Sequence, residues 1–304
     1  MSQSQRILLI GHVEQHHSAA LQRAAALAMA SGSPLHIAVL VEPFVTYGLL
    51  SAELREQIRT SMLNEQQRGW SREADRLKEK GITVTFSVVW TDDIREEIHR
   101  HVEEMRPSML VKDIQPEPLL RRAFVTPLDW YLLRECPVPL HLVSDARHPK
   151  PQMIVAAVDP TDPEAQIKGL NDQIIIAATG LATQCGAEFA LLFVYNNMPA
   201  YMVSGEALAA WADIAEELRS AQHQAFVDLA ERHRIPQERR HFVVGNPVTG
   251  IIGFAEERQA DVVVMGRVHR RGLGKLIGST TESVLYRLPG SMLAIHPHQS
   301  GAET

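Results

Sequence analysis

Residues 261–296 read DVVVMGRVHRRGLGKLIGSTTESVLYRLPGSMLAIH. A β-branched run (Val262, Val263, Val264) leads into a basic, glycine-rich loop, then a segment of helical character, then a second apolar run from Met292 to Ile295. The loop carries Gly266, Gly272, Gly274 and Gly278, and Ser279, Thr280 and Thr281 follow it. Glycine lets backbone N–H groups approach an anion closely, and the start of a helix adds a favourable dipole. Arg267, Arg270, Arg271 and Lys275 add positive potential. Strand, glycine loop, hydroxyl cluster and helix together make a recipe for holding phosphate.

Outward from this stretch, one order of elements occurs twice. In the second half, strands are expected at 153–158, 188–195, 240–244, 261–265 and 291–295, and helices at 172–183, 205–233, 247–259 and 281–288. The first half repeats it with strands at 6–10, 35–41, 83–89, 108–112 and 138–143 and helices at 18–30, 51–80, 92–104 and 127–134. RILLIGH (6–12) lies on IVAAVD (154–159), which sets Ile7 against Ile154 and His12 against Asp159. TPLDWYLLRECPVPLHLV (126–143) lies on STTESVLYRLPGSMLAIH (279–296), which sets Thr126 against Ser279 and Asp129 against Glu282. Strand–helix alternation predicts an α/β fold, with two tandem five-stranded parallel-sheet domains and helices on both faces. The domains are expected at 1–145 and 151–300, joined by a polar linker over 144–152 that contains Pro149 and Pro151.

Composition narrows the function. The 304 residues are 45% hydrophobic and 22% charged, which is ordinary for a soluble globular chain. A net charge of −6 argues against nucleic acid or an anionic membrane as partner. No apolar run approaches the ~20 residues that span a bilayer, and the first residues carry no signal-peptide pattern. Two cysteines, Cys136 and Cys185, fit a reducing compartment, so the expected location is the cytoplasm.

In parallel sheets, ligands sit at the carboxyl ends of strands near the point where strand order reverses. That singles out Asp159, Phe193 to Tyr195, Met265 to His269 and Gly278 to Thr281. An Asp can accept hydrogen bonds from a ribose or a base, main-chain groups at Val194 can meet an adenine edge, and glycines and hydroxyls can meet phosphates. Each has a plainer reading: Asp159 precedes Pro160 and suits a turn, while Ser279 and Thr280 suit helix caps. The first half is a poorer copy. Where residues 264–280 read VMGRVHRRGLGKLIGST, residues 110–126 read LVKDIQPEPLLRRAFVT, with Pro116, Glu117 and Pro118 in place of glycines. Proline lacks a donor and Glu117 repels phosphate, so no nucleotide is expected there.

Other constellations are thin. His99 and His101 are two residues apart and face different sides of a helix, and His16 and His17 are adjacent; His296 and His298 alternate on a strand-like tail and could chelate a metal together, and surface histidines are the plainer reading. No metal site and no catalytic residue is assigned. Trp130 and Trp211 read as packing residues and Cys136 as buried.

The second half resembles a universal stress protein domain, through IVAAVD, the MG that ends the fourth strand, the glycine loop, and GSTTESVL before a closing apolar strand. FVTPLDWYLLRECPVPLHLV in the first half is similar to the matching segment of tandem universal stress proteins of the E type. The resemblance covers essentially the whole chain. It implies a five-stranded parallel sheet per domain and domains that pair through their last strands, here 138–143 and 292–296. That would make the chain an intramolecular pseudo-dimer, with a homodimer as the other possibility. It also implies, for some members, ATP bound by a Gly-x2-Gly-x9-Gly-Ser/Thr pattern, with Mg2+ accompanying the phosphates. Here Gly266 matches, His269 replaces the second glycine, and Gly278 comes one residue early; with Asp159, Val194, Met265, Ser279 and Thr280, which match the pattern residue by residue, these are the eight ligand-binding candidates that the resemblance implies.

The expectation is a cytoplasmic stress-response protein that binds a small molecule, ATP or a related phosphate compound, in its second domain, with no chemical step required. The alternatives are a binder of a non-nucleotide amphipathic ligand, with Met198, Met202 and Leu208 lining its cavity, and a slow ATPase.

Overall fold

The computed structural model describes residues 6–13, 15–114, 127–163, 169–196, 205–267 and 279–297, with main chain alone at 205–214 and at 279. The chain forms two compact units, 1–150 and 151–304.

The first unit contains β1 (Ile7–Gly11), α1 (Ala19–Ser31), β2 (Leu35–Val41), α2 (Ala52–Glu79), β3 (Val84–Trp90), α3 (Ile94–Met105), β4 (Met109–Asp113), α4 (Leu128–Glu135) and β5 (Leu140–Val143). A short 3-10 turn, Tyr47–Leu49, lies in the loop after β2. The strands are parallel in the order β3-β2-β1-β4-β5. β1 and β2 are buried along their whole length, as continuous apolar runs must be when helices cover both faces of a parallel sheet. Helix starts follow local chemistry. Ser18 accepts from Leu21 N–H, Ser51 from Leu54 N–H, and Asp93 from Arg95 and Glu96 N–H, each satisfying donors that the first turn leaves over. α1 ends at Gly32, whose φ of 69° is the left-handed conformation glycine adopts without strain.

The second unit repeats the plan with β6 (Met153–Ala157), α5 (Leu170–Cys185), β7 (Glu188–Tyr195), α6 (Gly205–Arg232), β8 (Arg240–Val244), α7 (Pro247–Glu257), β9 (Val262–Gly266), α8 (Ser279–Leu285) and β10 (Ser291–Ile295). Its parallel strands run β8-β7-β6-β9-β10. The expected α/β architecture of two five-stranded parallel sheets is what forms. Two helices start earlier than the sequence pattern indicated: α5 at Leu170 instead of 172, and α8 at Ser279 instead of 281.

The ladders fix how the units correspond. Ile7 pairs with Met109 in the first unit, and Ile154 pairs with Val262 in the second. With Ile7 equivalent to Ile154, Asp113 stands at the position of Gly266 and Lys112 at that of Met265. Over the paired strands this moves the alignment of 110–113 on 264–267 by one residue, because an apolar run has no feature that pins its register by composition alone.

The change at that position is chemical. The Asp113 carboxylate accepts the N–H of Ala20, 2.8 Å away in the first turn of α1. Lys112 and Asp129, both buried, pair at 2.8 Å. At the end of β1, Gly11 lies against the buried Trp70, and a Cβ there would come within 2.9 Å of the indole. The histidines are not uniformly at the surface, contrary to the plainer reading of the sequence. His36, His101 and His141 are buried. His36 Nδ1 meets Thr85 Oγ1 at 2.8 Å and its Nε2 meets Ser87 Oγ at 3.1 Å.

Candidate functional site: a cavity at the strand-order reversal of the second unit

In the second unit the strand order reverses between β6 and β9, where their carboxyl ends part. A cavity of about 170 Å³ opens there. Its walls come from the end of β6 (Asp159), the start of α5 (Leu170, Asn171, Ile174), the end of β7 (Phe193, Val194), α7 (Pro247, Ile251), the end of β9 (Met265, Gly266) and α8 (Thr280, Thr281). Of the residues singled out from sequence, Asp159, Val194, Met265, Gly266 and Thr280 meet around this one cavity. Ser279 begins α8 by its main chain, and His269 and Gly278 lie outside the described residues.

Each wall has a local cause. The last rung between β6 and β7 is Val158 N–H to Leu192 C=O, 2.9 Å. Alternation along a parallel ladder turns the main-chain groups of Phe193 toward β8, as the pairing of Val194 with Val243 requires. It turns those of Val194 back toward β6, beyond the point where β6 has ended at Ala157. The Val194 N–H and C=O therefore face the cavity. The Val194 side chain points at α7, where Gly250 accommodates it; a Cβ on Gly250 would sit 2.6 Å from Val194 Cγ1.

Gly266 has a packing role besides its place in the loop pattern. A Cβ there would lie 2.6 Å from Leu170 Cδ2 and 3.1 Å from Ile174 Cδ1. The early first turn of α5 is what brings Leu170 over Gly266. Thr281, buried, donates its hydroxyl to the Gly266 carbonyl at 3.0 Å and so ties α8 to the end of β9.

Asp159 takes up the turn of its plainer reading at the edge of the cavity. It lines the cavity, and its Oδ1 accepts Thr161 N–H at 3.0 Å and Thr161 Oγ1–H at 2.7 Å, an Asx turn. What holds its main chain is Asn171, which sequence reasoning missed. The buried Asn171 accepts Asp159 N–H on Oδ1 at 3.0 Å and donates from Nδ2 to Asp159 C=O at 2.8 Å. One amide thereby satisfies both main-chain groups of the residue that forms the cavity lip. No short motif announces it; the only cue is a polar residue on the otherwise apolar face of a helix that follows a strand.

Among the described residues no group of three or more His, Cys, Asp or Glu side chains is set to hold a metal ion. Nor is any helix long and apolar enough to cross a membrane.

The universal stress protein family model matches residues 5–144 and again 152–296. Universal stress protein E of Salmonella typhi is 28% identical over 306 residues, covering 98% of this chain and 96% of that protein. Its Escherichia coli K12 counterpart is 27% identical over 305 residues, with the same coverage. Among solved structures, a putative universal stress protein from Pseudomonas aeruginosa superposes with a TM-score of 0.73 at 25% identity, covering 96% of this chain and 93% of that one. One from Archaeoglobus fulgidus gives 0.63 at 15% identity, with 98% of both chains covered, and so shares the fold. With both halves matched by the family model and E-type relatives aligned end to end, the chain belongs to the universal stress protein family as a tandem protein of two such domains.

Proposed function

We propose that the second unit of this stress-response protein is a ligand-binding module that takes ATP or a related phosphate compound in the cavity between β6 and β9, with Mg2+ accompanying the phosphates of ATP. The observation that carries the reading is the pair of Val194 main-chain groups turned into a cavity at the strand-order reversal. An N–H and a C=O on one residue complement the acceptor and amino donor that adenine presents side by side. Apolar walls from Ile174, Ile251 and Met265 suit the faces of a planar ring. The Thr280 hydroxyl and the exposed Asp159 supply polar groups at the rim. No chemical step is needed for such a module to act; occupancy alone changes its stability.

The first unit offers a poorer site. Asp113 sets a carboxylate where the second unit has Gly266, and the Trp70 indole lies against the end of β1. We assign no nucleotide there. The two cysteines are both free and buried, in keeping with a reducing cytoplasm.

The test is thermal unfolding with and without ATP–Mg2+. At a ligand concentration 100 times Kd, binding stabilises by about 2.7 kcal/mol. Ile251→Trp fills the cavity and should abolish the response. No shift in the parent protein at millimolar ATP sinks the nucleotide reading. The apolar share of the walls favours a second reading, an amphipathic non-nucleotide ligand. In that case an apolar probe stabilises the parent but not Ile251→Trp, and ATP stabilises neither.

A further inference from the structure

We infer a second ligand site, in the first unit: the groove between residues 15–17 and α2 takes a phosphate-bearing small molecule through Arg68 and Arg72. The groove measures about 650 Å³, with α2 as one wall and the loop after β1 as the other. Arg68, Arg72 and Arg76 recur every four residues and so share one stripe of the helix. Like charges at this spacing repel, and the stripe is only partly neutralised. Arg76 pairs with Glu73 at 3.2 Å and donates to His17 Nε2 at 3.1 Å. That leaves His17 Nδ1 to carry its proton toward Glu73, 3.4 Å away. Glu73 is thus engaged twice. Arg68 donates from Nε to its own helix, at Asn64 C=O, and Arg72 makes no hydrogen bond or ion pair with any described residue. Among the described residues, Glu65 is the other carboxylate on the groove.

Gly69 shapes the groove. It sits in the interior of α2, where glycine is the least favourable residue after proline. A Cβ there would overlap the His16 imidazole, so glycine is what lets the loop close against the helix beside the arginines. The second unit supplies an internal control. Ile82 N–H to Leu77 C=O and Ile235 N–H to Ala230 C=O close equivalent turns after the two long helices. By that register, Ala221, Ala225 and Leu229 stand where Arg68, Arg72 and Arg76 do. The matching groove carries Asp172 and Asp228, with Arg232 and His233 already bonded to Asp172 at 3.1 and 2.6 Å. The arginine stripe therefore belongs to the first unit alone. Two guanidinium forks about 6 Å apart along a helix, one turn, can grip the oxygens of a phosphate lying between them.

The probe is inorganic pyrophosphate, which has no base, titrated calorimetrically into the full chain. Saturable binding should weaken at least tenfold in Arg68→Ala/Arg72→Ala, whose exposed helical positions accept alanine. It should weaken also in Gly69→Ala, which moves His16 and leaves every charge in place. Arg219→Ala, a change to another exposed helical arginine, and Ile251→Trp, which blocks the second-unit cavity, should leave the affinity within about twofold. The inference is overturned by non-saturable binding to the parent, by unchanged affinity in the double variant, or by loss of binding in Ile251→Trp. Because the ATP reading fails on a different ligand and a different variant, the two failures are distinguishable.

Discussion

Replacing Asn171 with alanine tests the cavity lip directly. The side chain is 5% exposed and makes two hydrogen bonds to the main chain of Asp159, at 3.0 and 2.8 Å. Its removal strands the Asp159 N–H and leaves the C=O with only the long 3.4 Å contact from Asp162 N–H, where a polar group left dry costs about 1–3 kcal/mol. Asp159 is itself exposed, so water recovers part of the loss. The expected destabilisation is about 2 kcal/mol, a fall in Tm of roughly 4–8 °C for a unit of this size. Asn171→Asp sharpens the test. Its carboxylate still accepts Asp159 N–H but has no proton for Asp159 C=O, and it adds negative charge near Asp159 and Asp162. It should melt no higher than the alanine variant at pH 7. It should recover in part near pH 4, where a protonated carboxyl regains a donor. The assay is thermal unfolding at both pH values, with ATP–Mg2+ titration alongside, where a tenfold loss of affinity is expected in either variant. An Asn171→Ala protein that melts within about 1 °C of the parent would refute the argument that this amide holds the lip.

Two further outcomes follow from particular contacts. Gly266→Ala drives a methyl into Leu170, whose Cγ would be 2.9 Å from it, and should cost about 1–3 kcal/mol by overpacking. In urea titrations, Leu170→Ala in the same chain should offset part of that loss, and strict additivity of the two changes would show that they do not touch. Acid should weaken the first unit through His36, whose pKa is lowered to about 4 by burial, then by His101 and Arg6. Above pH 6.5 the ring is neutral whether folded or unfolded, and the stability is complete. As pH falls from there toward 4 the unfolded chain takes a proton that the folded one refuses, at a cost of roughly 2 kcal/mol after allowing for partial solvent screening. His36→Gln should flatten this slope in urea midpoints between pH 7 and 4.5; an equal slope in parent and variant would remove His36 as its source.

Much of the fold was legible because it rests on local rules. The Val262–Val264 run is a buried strand, Ser18, Ser51 and Asp93 cap helices, and Gly32 and Gly186 end α1 and α5 with φ of 69° and 63°. Five of the eight site candidates meet at one cavity because parallel strands place their carboxyl ends together. What stayed hidden depends on tertiary proximity. Asn171 matters through a lip twelve residues away, a relation that no helical or strand period encodes. The Gly266 pattern by itself points to phosphate, yet Leu170 in the early turn of α5 gives the same glycine a steric reason. The burial of His36 likewise comes from β3 and α3 folding over it, where composition offered only an isolated imidazole.

The Asp113 carboxylate and the Ala20 amide show what a duplicated chain can do with its spare copy. A counter-charge attached by a peptide bond is present at fixed stoichiometry whatever the cell's metabolic state, and it cannot diffuse away. The half that carries it is indifferent at that amide to the concentration of any soluble anion, while glycine stands at the position of the aspartate in its sibling. One glycine-to-aspartate difference thus fixes in one half of the chain a charge that the other half does not carry at that position.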